Sequence, residues 1–355
     1  MVLSDPLPPR ADAVVVGGGL AGVSAAWFLA RAGLDTLLLE ARTLASGATG
    51  RGTGLITLGL GEPYSRSAER YGRARVREVW RFTRENHRLV RLLVNRLSLR
   101  CGYAQRGGLR VALDPREARA LRESLPLLRR DGFRGRPYSG PLPEAFAAAL
   151  QVDGEGLINP GEFVRGLARA AEAEGAALRE RVAATALRAG AGGVRVATSR
   201  GEVRCGTVVA ATSARLGLLL PRLARAVAPC RSVVSEVPFP RPLPHGTCRS
   251  GDFYWRPAGP ARLLVGGPSR PLLRSFLRRA FPRARPIGGG WVGAVDWGTD
   301  GFPTAGPVPG SPRILACAGF CGTGFGYATL AAKLCADIAA GRRDRVPGWM
   351  AARRW

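Results

Sequence analysis

Apolar residues along this chain come in runs, and the first run governs how the others are read. Ala13-Val14-Val15-Val16 is apolar throughout, as a strand covered on both faces would be. Gly17-Gly18-Gly19 interrupts it, an uncharged segment from Leu20 to Ala30 follows, and Gly33 acts as a helix stop. Thr36-Leu37-Leu38-Leu39 is a second apolar run, closed by Glu40. Residues 11–42 therefore predict strand, glycine turn, helix, strand and acidic terminus. The glycine-dense segment 45–56 suits backbone running close to a flat or charged ligand, with a flexible surface loop as the plain alternative.

Helical spacing appears at 68–99, where Val76, Val79, Trp80, Leu89, Leu92 and Leu93 form one apolar stripe. Residues 114–126 and 143–150 predict two further helices, the first with Asp114-Pro115 at its N-cap. Asn159 before Pro160 caps another, stopped at Gly175. Short strands are predicted at 177–182, 183–187, 193–197 and 203–210, and Val208-Val209-Ala210-Ala211 reads as a buried parallel strand. Residues 231–295 are rich in proline and β-formers, with candidate strands at 231–237, 251–256 and 261–266. A strand at 314–319, a glycine turn at 320–326 and a helix at 327–340 close the pattern. The nucleotide-binding part is thus expected to be discontinuous, its pieces separated by insertions that build a substrate domain.

The first glycine turn has a specific chemistry. In Gly17-x-Gly19-x-x-Gly22 the first glycine allows the tight turn and the second lets backbone approach a pyrophosphate. Gly22 lets helix and strand pack closely, and the helix N-terminus meets phosphates with free N–H groups. Glu40 is placed to accept hydrogen bonds from a ribose diol and disfavours a 2′-phosphate, so the expected ligand is FAD or NAD. The uncharged stretch 13–30 also fits an export signal or a membrane segment. Three successive glycines near its middle and an opening with Asp5, Pro6, Pro8, Pro9 and Asp12 argue against both.

Composition changes this picture little. A formal charge of +27 suggests nucleic acid, but Lys333 is the only lysine among 53 basic residues. That bias points to GC-rich coding, and the arginines are dispersed, so nucleic-acid binding is not expected. Seven scattered cysteines without a CxxC suggest reduced thiols in a cytoplasm. His87 and His245 are the only histidines, so neither a metal site nor triad chemistry is expected.

Taken together, the segments resemble the FAD-dependent glycine oxidase, sarcosine oxidase and D-amino acid oxidase/dehydrogenase family, in order over nearly the whole chain. The landmarks are Gly17-x-Gly19-x-x-Gly22 with Glu40-Ala41-Arg42, Ser46-Gly47-Ala48-Thr49-Gly50-Arg51, Asn159-Pro160 and Val208 to Ala211. Tyr254-Trp255-Arg256-Pro257, Leu264 to Gly267, Asp300-Gly301-Phe302-Pro303 and Gly319 to Gly326 continue them. The resemblance implies an α/β fold: a discontinuous Rossmann-like FAD-binding domain (1–62, 151–230, 296–355) plus an inserted antiparallel β-sheet substrate domain with helices (63–150, 231–295). It implies noncovalent FAD held by Gly17, Gly19, Leu20, Ala21 and Gly22, with Glu40, Ala41 and Arg42 at the adenosine and Val182 meeting the adenine. Thr49, Gly50 and Arg51 would line the pyrophosphate and ribityl chain, with Ala211 nearby. Gly322, Thr323, Gly324 and Phe325 would approach the pyrimidine side of the flavin.

Tyr254, Arg256 and Arg51 are the implied catalytic residues. The plain alternatives are a strand tyrosine with a satisfied hydroxyl, a solvated strand-end arginine and, for Asp296, a turn cap. Amino-acid-specific members often carry an arginine five residues before the Asp-Gly-x-Pro aspartate. Here that position is Val295, which leaves Arg256 or another arginine to take a carboxylate. The covalent-flavin cysteine of sarcosine oxidases falls near Gly293, and no lysine is placed over the flavin. The expected reaction is oxidation of a CH–NH bond of an amino acid or secondary amine to an imine by hydride transfer to flavin N5, by a dehydrogenase or slow oxidase. Oxidation of a 2-hydroxy acid, or a role as flavin subunit of a larger amine dehydrogenase, is the alternative. The electron acceptor, dioxygen or another, stays open, and neither a metal nor a membrane is expected.

Overall fold

Val14, Val15 and Val16 are buried because their strand, Arg10–Val16, has parallel neighbours on both sides. In the computed structural model, which describes residues 6–239, 243–248, 252–282 and 290–355, it lies inside an eight-stranded sheet. The parallel order runs Ala177–Glu180, Thr36–Glu40, Arg10–Val16, Gly201–Ala210, Ser311–Ala318. Val208 to Ala210 do lie in a buried parallel strand, between Arg10–Val16 and Ser311–Ala318. The hairpin Ala184–Gly190 and Gly193–Thr198 folds antiparallel onto Gly201–Ala210. Helices Leu20–Arg31, Pro160–Ala173 and Gly324–Ala339 share one apolar core on one side of this sheet. Ligands of such sheets lie beyond the carboxyl ends of the parallel strands, and the glycine turn after Val16 is at that end.

A second eight-stranded sheet is mostly antiparallel. Its order is Gly290–Gly298, Val227–Pro238, Arg262–Gly267, Phe253–Pro257, Gly246–Cys248, Gly108–Ala112, Ala148–Val152, Gly135–Pro137. A separate core lies against it, with Trp255, Val265, Phe276 and Phe281 at its centre. A small three-stranded sheet, Leu55–Ile56, Gly156–Leu157 and Ala104–Gln105, stands beside the larger two. The chain is α/β, with a Rossmann-like sheet built from separated segments and an antiparallel sheet built from the insertions.

Several elements differ from the sequence pattern. The helix expected at 68–99 is two helices, Tyr64–Tyr71 and Arg73–Arg96, because Gly72 at φ +83° breaks the first and starts the second. The helix expected at 114–126 runs on as Pro115–Arg130 through Pro126, its last turn held by buried Leu128, while Asp114 caps the Glu117 amide as expected. Residues 143–150 are not a helix: Ala148–Val152 is a strand paired on both sides, and that ladder overrides the helical preference of its alanines. A helix, Arg270–Ala280, occupies part of the region read as β-rich. The strand expected at 251–256 appears as Phe253–Pro257, and Gly251 lies outside the described residues.

Candidate functional site

The glycine turn is shaped by contact. Gly17 has φ +111°, and a Cβ there would sit 2.5 Å from the Ala211 carbonyl oxygen. At Gly22 an added Cβ would overlap the Gly17 carbonyl oxygen, so helix Leu20–Arg31 touches the preceding strand directly. Gly19 caps that helix without a side-chain hydrogen bond, and the Leu20 amide donates to Thr49 Oγ1 at 3.0 Å. Such an uncapped N-terminus is an anion site. The Glu40 carboxylate is held in place by two amides, Gly18 N at 2.7 Å and Arg42 N at 2.8 Å. Val182 is buried, and its N–H is taken by the Glu40 carbonyl, so an adenine edge can use only its carbonyl.

One cavity of about 1310 Å³ runs from this turn to the antiparallel sheet. It is larger than the roughly 300–1,000 Å³ of ordinary small-molecule sites, as a long cofactor plus a substrate requires. Gly17, Gly19, Leu20, Ala21, Glu40, Ala41, Arg42, Thr49, Val182 and Ala211 line one part of it. Arg51, Tyr254, Gly322, Thr323, Gly324 and Phe325 line the other. Gly22 and Gly50 do not. A Cβ at Gly50 would overlap the Ala45 carbonyl oxygen, so both act by close packing behind the wall.

The second glycine turn carries Gly319 at φ +77°, Cys321 at +51° and Gly322 at +71°. It leads into helix Gly324–Ala339, which also begins without a side-chain cap. Beneath it Asp296 is buried, and its Oδ2 accepts the Gly319 amide at 2.7 Å. Burial pushes its carboxyl above the usual range. Asp296 thus anchors the turn from the neighbouring strand.

Arg51 ends the short helix Ala48–Arg51, which docks on strand Gly290–Gly298. Its carbonyl accepts Trp291 Nε1 at 2.8 Å, and Gly293 faces its Cβ. The Tyr254 hydroxyl meets Ser232 Oγ at 2.6 Å, and its ring lies flat over Gly266, where any Cβ would collide with it.

Arg256 stands apart from the other residues read as catalytic. It does not line the cavity: Nη1 donates to the carbonyls of Thr53 at 2.6 Å and Ile158 at 2.9 Å, tying the sheet to the glycine-dense segment.

The sequence reading passed over Arg110, which lines the cavity although only 6% exposed. Its Nη2 contacts Glu155 Oε1 at 2.6 Å and the Leu58 carbonyl at 3.0 Å, and Nη1 donates to Thr247 Oγ1 at 3.1 Å. A lone arginine within the apolar run Gly108-Leu109-Arg110-Val111-Ala112 was the available signal, since a buried cation needs a purpose. His87 and His245 are both buried and neither lines the cavity. Burial pushes them down to about 4 and about 3, so both stay neutral.

The model of the DAO family, FAD dependent oxidoreductase, matches residues 12–338. The chain belongs to that family. It is an enzyme, and FAD is its cofactor. The uncapped helix N-termini, the glycine contacts and the fixed Glu40 carboxylate fit that group's phosphates and ribose.

The chain is 27% identical to gamma-glutamylputrescine oxidoreductase of Escherichia coli (strain K12), over 94% of this chain and 84% of that protein. It is 32% identical to 4-methylaminobutanoate oxidase (formaldehyde-forming) of Paenarthrobacter nicotinovorans, over 74% of this chain and 32% of that protein. Glycine oxidase from Geobacillus kaustophilus superposes with a TM-score of 0.80 at 22% identity, covering 96% of this chain and 97% of that one, which shows a shared fold. No helix among the described residues is long and apolar enough to cross a membrane.

Proposed function

We propose that this member of the family oxidises the CH–NH bond of an amino acid or secondary amine to an imine, which water splits to a carbonyl compound. The observation that carries this reading is that neither histidine reaches the cavity. Oxidising an alcohol requires a base for the hydroxyl proton, and a 2-hydroxy acid would find no imidazole there. An amine brings its own lone pair once it is neutral. The names of the relatives above point the same way, since γ-glutamylputrescine, 4-methylaminobutanoate and glycine are all amines.

FAD, when bound, supplies the acceptor for the hydride leaving carbon. The chain's own residues do the remaining work. Arg51 and Arg110, both on the cavity wall, disfavour an ammonium and so favour the neutral amine. Tyr254, fixed by Ser232, gives the substrate a rigid wall. The uncapped start of helix Gly324–Ala339 favours negative charge at the flavin's pyrimidine side. Arg256 we assign to holding the glycine-dense segment in place. With glycine at 293 the flavin is proposed to be noncovalent, and acid precipitation is expected to release all of it.

The single lysine, Lys333, pairs with Asp337 at 2.6 Å on the last helix and does not line the cavity. The resemblance to sarcosine oxidases implies that a lysine over the flavin activates dioxygen, and with none on the cavity wall we assign electron transfer to another acceptor. Turnover with an artificial quinone or phenazine acceptor should exceed turnover in air-saturated buffer by about tenfold or more, about 1.4 kcal/mol in barrier. Location in the cytoplasm is part of the same proposal, consistent with the absence of any disulfide among the described residues.

An anaerobic panel of secondary amines, amino acids and 2-hydroxy acids, read by bleaching of the flavin, tests the reaction class. Bleaching by amines alone is expected. Bleaching by 2-hydroxy acids alone would remove the proposal.

A further inference from the structure

Four acidic residues line the cavity: Glu40, Glu62, Asp252 and Asp296. Three of them are engaged. Glu40 accepts the amides of Gly18 and Arg42, and Asp296 accepts that of Gly319. Glu62 accepts Arg70 Nη1 at 3.1 Å, and that guanidinium lies over the Tyr71 ring. Asp252 is exposed, and no described residue gives it a hydrogen bond or a counter-ion.

Its place in the sheet is specific. Asp252 directly precedes strand Phe253–Pro257, two residues before Tyr254, and both line the cavity. Residues two apart on extended chain point to one side, roughly 7 Å from each other. The neighbouring wall is apolar: Tyr254 pairs with Gly266 and Gly266 with Val234, and Val234, Gly267 and Pro268 also line the cavity. The cations stand farther off. Arg110 and Arg231 line the cavity too, but their strands lie two places to either side of Phe253–Pro257, about 10 Å away. An apolar wall that leads from a fixed aromatic ring to an unpaired carboxylate suits a methylene chain with a charged nitrogen at its far end.

We infer that Asp252 receives a second, charged nitrogen of the substrate, so that the enzyme selects amines carrying another cationic group. This rests on amine oxidation at the cavity and names the substrate class. The nitrogen that is oxidised lies at Tyr254 as a neutral amine, where the arginines of the wall disfavour charge. The second nitrogen stays protonated and donates to the Asp252 carboxylate. A separation of roughly 7 Å corresponds to about four methylene groups between the two nitrogens. Asp252 is a specificity residue: it decides which amine is held and takes no part in the hydride transfer.

The test uses the FAD-loaded protein. Anaerobic flavin reduction by N-methylbutane-1,4-diamine is compared with reduction by N-methylpentylamine, which carries a methyl group in place of the distal ammonium. Binding is measured separately from oxidation with (4-hydroxybutyl)trimethylammonium and its uncharged isostere 5,5-dimethylhexan-1-ol, read from the visible spectrum of the bound flavin. Wild type should favour the charged member of each pair by about three- to tenfold in apparent dissociation constant, the size of a partly exposed ion pair. Salt at about 1 M should reduce that preference. D252N should lose it, weakening the charged member far more than the neutral one. D252E should restore part of it, and D252K should reverse it.

Equal binding of charged and neutral members by wild type, or a preference that survives D252N, would overturn the assignment. Equal losses for both members in D252N would overturn it too, because they mark a structural role. Should no amine reduce the flavin at all, the proposed reaction fails, while the trimethylammonium titration still decides the role of Asp252.

Discussion

Gly22→Val yields a folded protein that holds no FAD. The new side chain cannot fit, because even a Cβ at this position would overlap the Gly17 carbonyl oxygen. Helix Leu20–Arg31 must then move away from strand Arg10–Val16, taking with it the amides proposed to face the pyrophosphate. Overpacking alone costs about 1–3 kcal/mol. Loss of the cofactor removes a further contribution of about 2.7 kcal/mol at a hundredfold excess of FAD over its dissociation constant. Flavin absorbance per protein should fall to background, and the melting temperature should no longer rise on adding FAD. Stoichiometric flavin in this variant would mean that the helix N-terminus does not hold the pyrophosphate.

Arg256→Ala separates support of the site from contact with substrate. One Nη1 serves the carbonyl of Thr53, next to Gly54, and that of Ile158, whose oxygen leaves no room for a Cβ at Gly54. Removing it strips two carbonyls of a charged donor. Charged hydrogen bonds contribute about 1.5–3 kcal/mol each, and since this guanidinium is only partly buried the pair is assigned about 2 kcal/mol. The expected result is a lower melting temperature and weaker FAD retention, with KM for amines unchanged in the protein that keeps its flavin. A variant of unchanged stability whose only defect is a raised KM would return Arg256 to the substrate wall.

What was legible in the sequence was local. The glycine turn, its helix and Glu40 lie within residues 11–42, and Asp114 and Asn159 cap helices that start one residue later. What was not legible depends on distant partners. The segment 143–150 reads as helix until strands Gly108–Ala112 and Gly135–Pro137 close on it from both sides. Arg256 stands two residues from Tyr254 in the chain, whereas its acceptors lie 203 and 98 residues away. The partners of Arg110 are equally distant: Glu155 is 45 residues off and Thr247 137. The proposed cofactor site is written in short motifs, and the proposed substrate wall only in the register of the inserted sheet.

The most direct measurement is a single anaerobic turnover with the best amine of the panel, prepared with and without deuterium on the carbons bonded to nitrogen. If the cavity oxidises a CH–NH bond, the flavin bleaches, deuterium slows the bleaching, and one carbonyl product forms per flavin reduced. A flavin that stays oxidised with every amine, yet bleaches with a 2-hydroxy acid, would contradict the account.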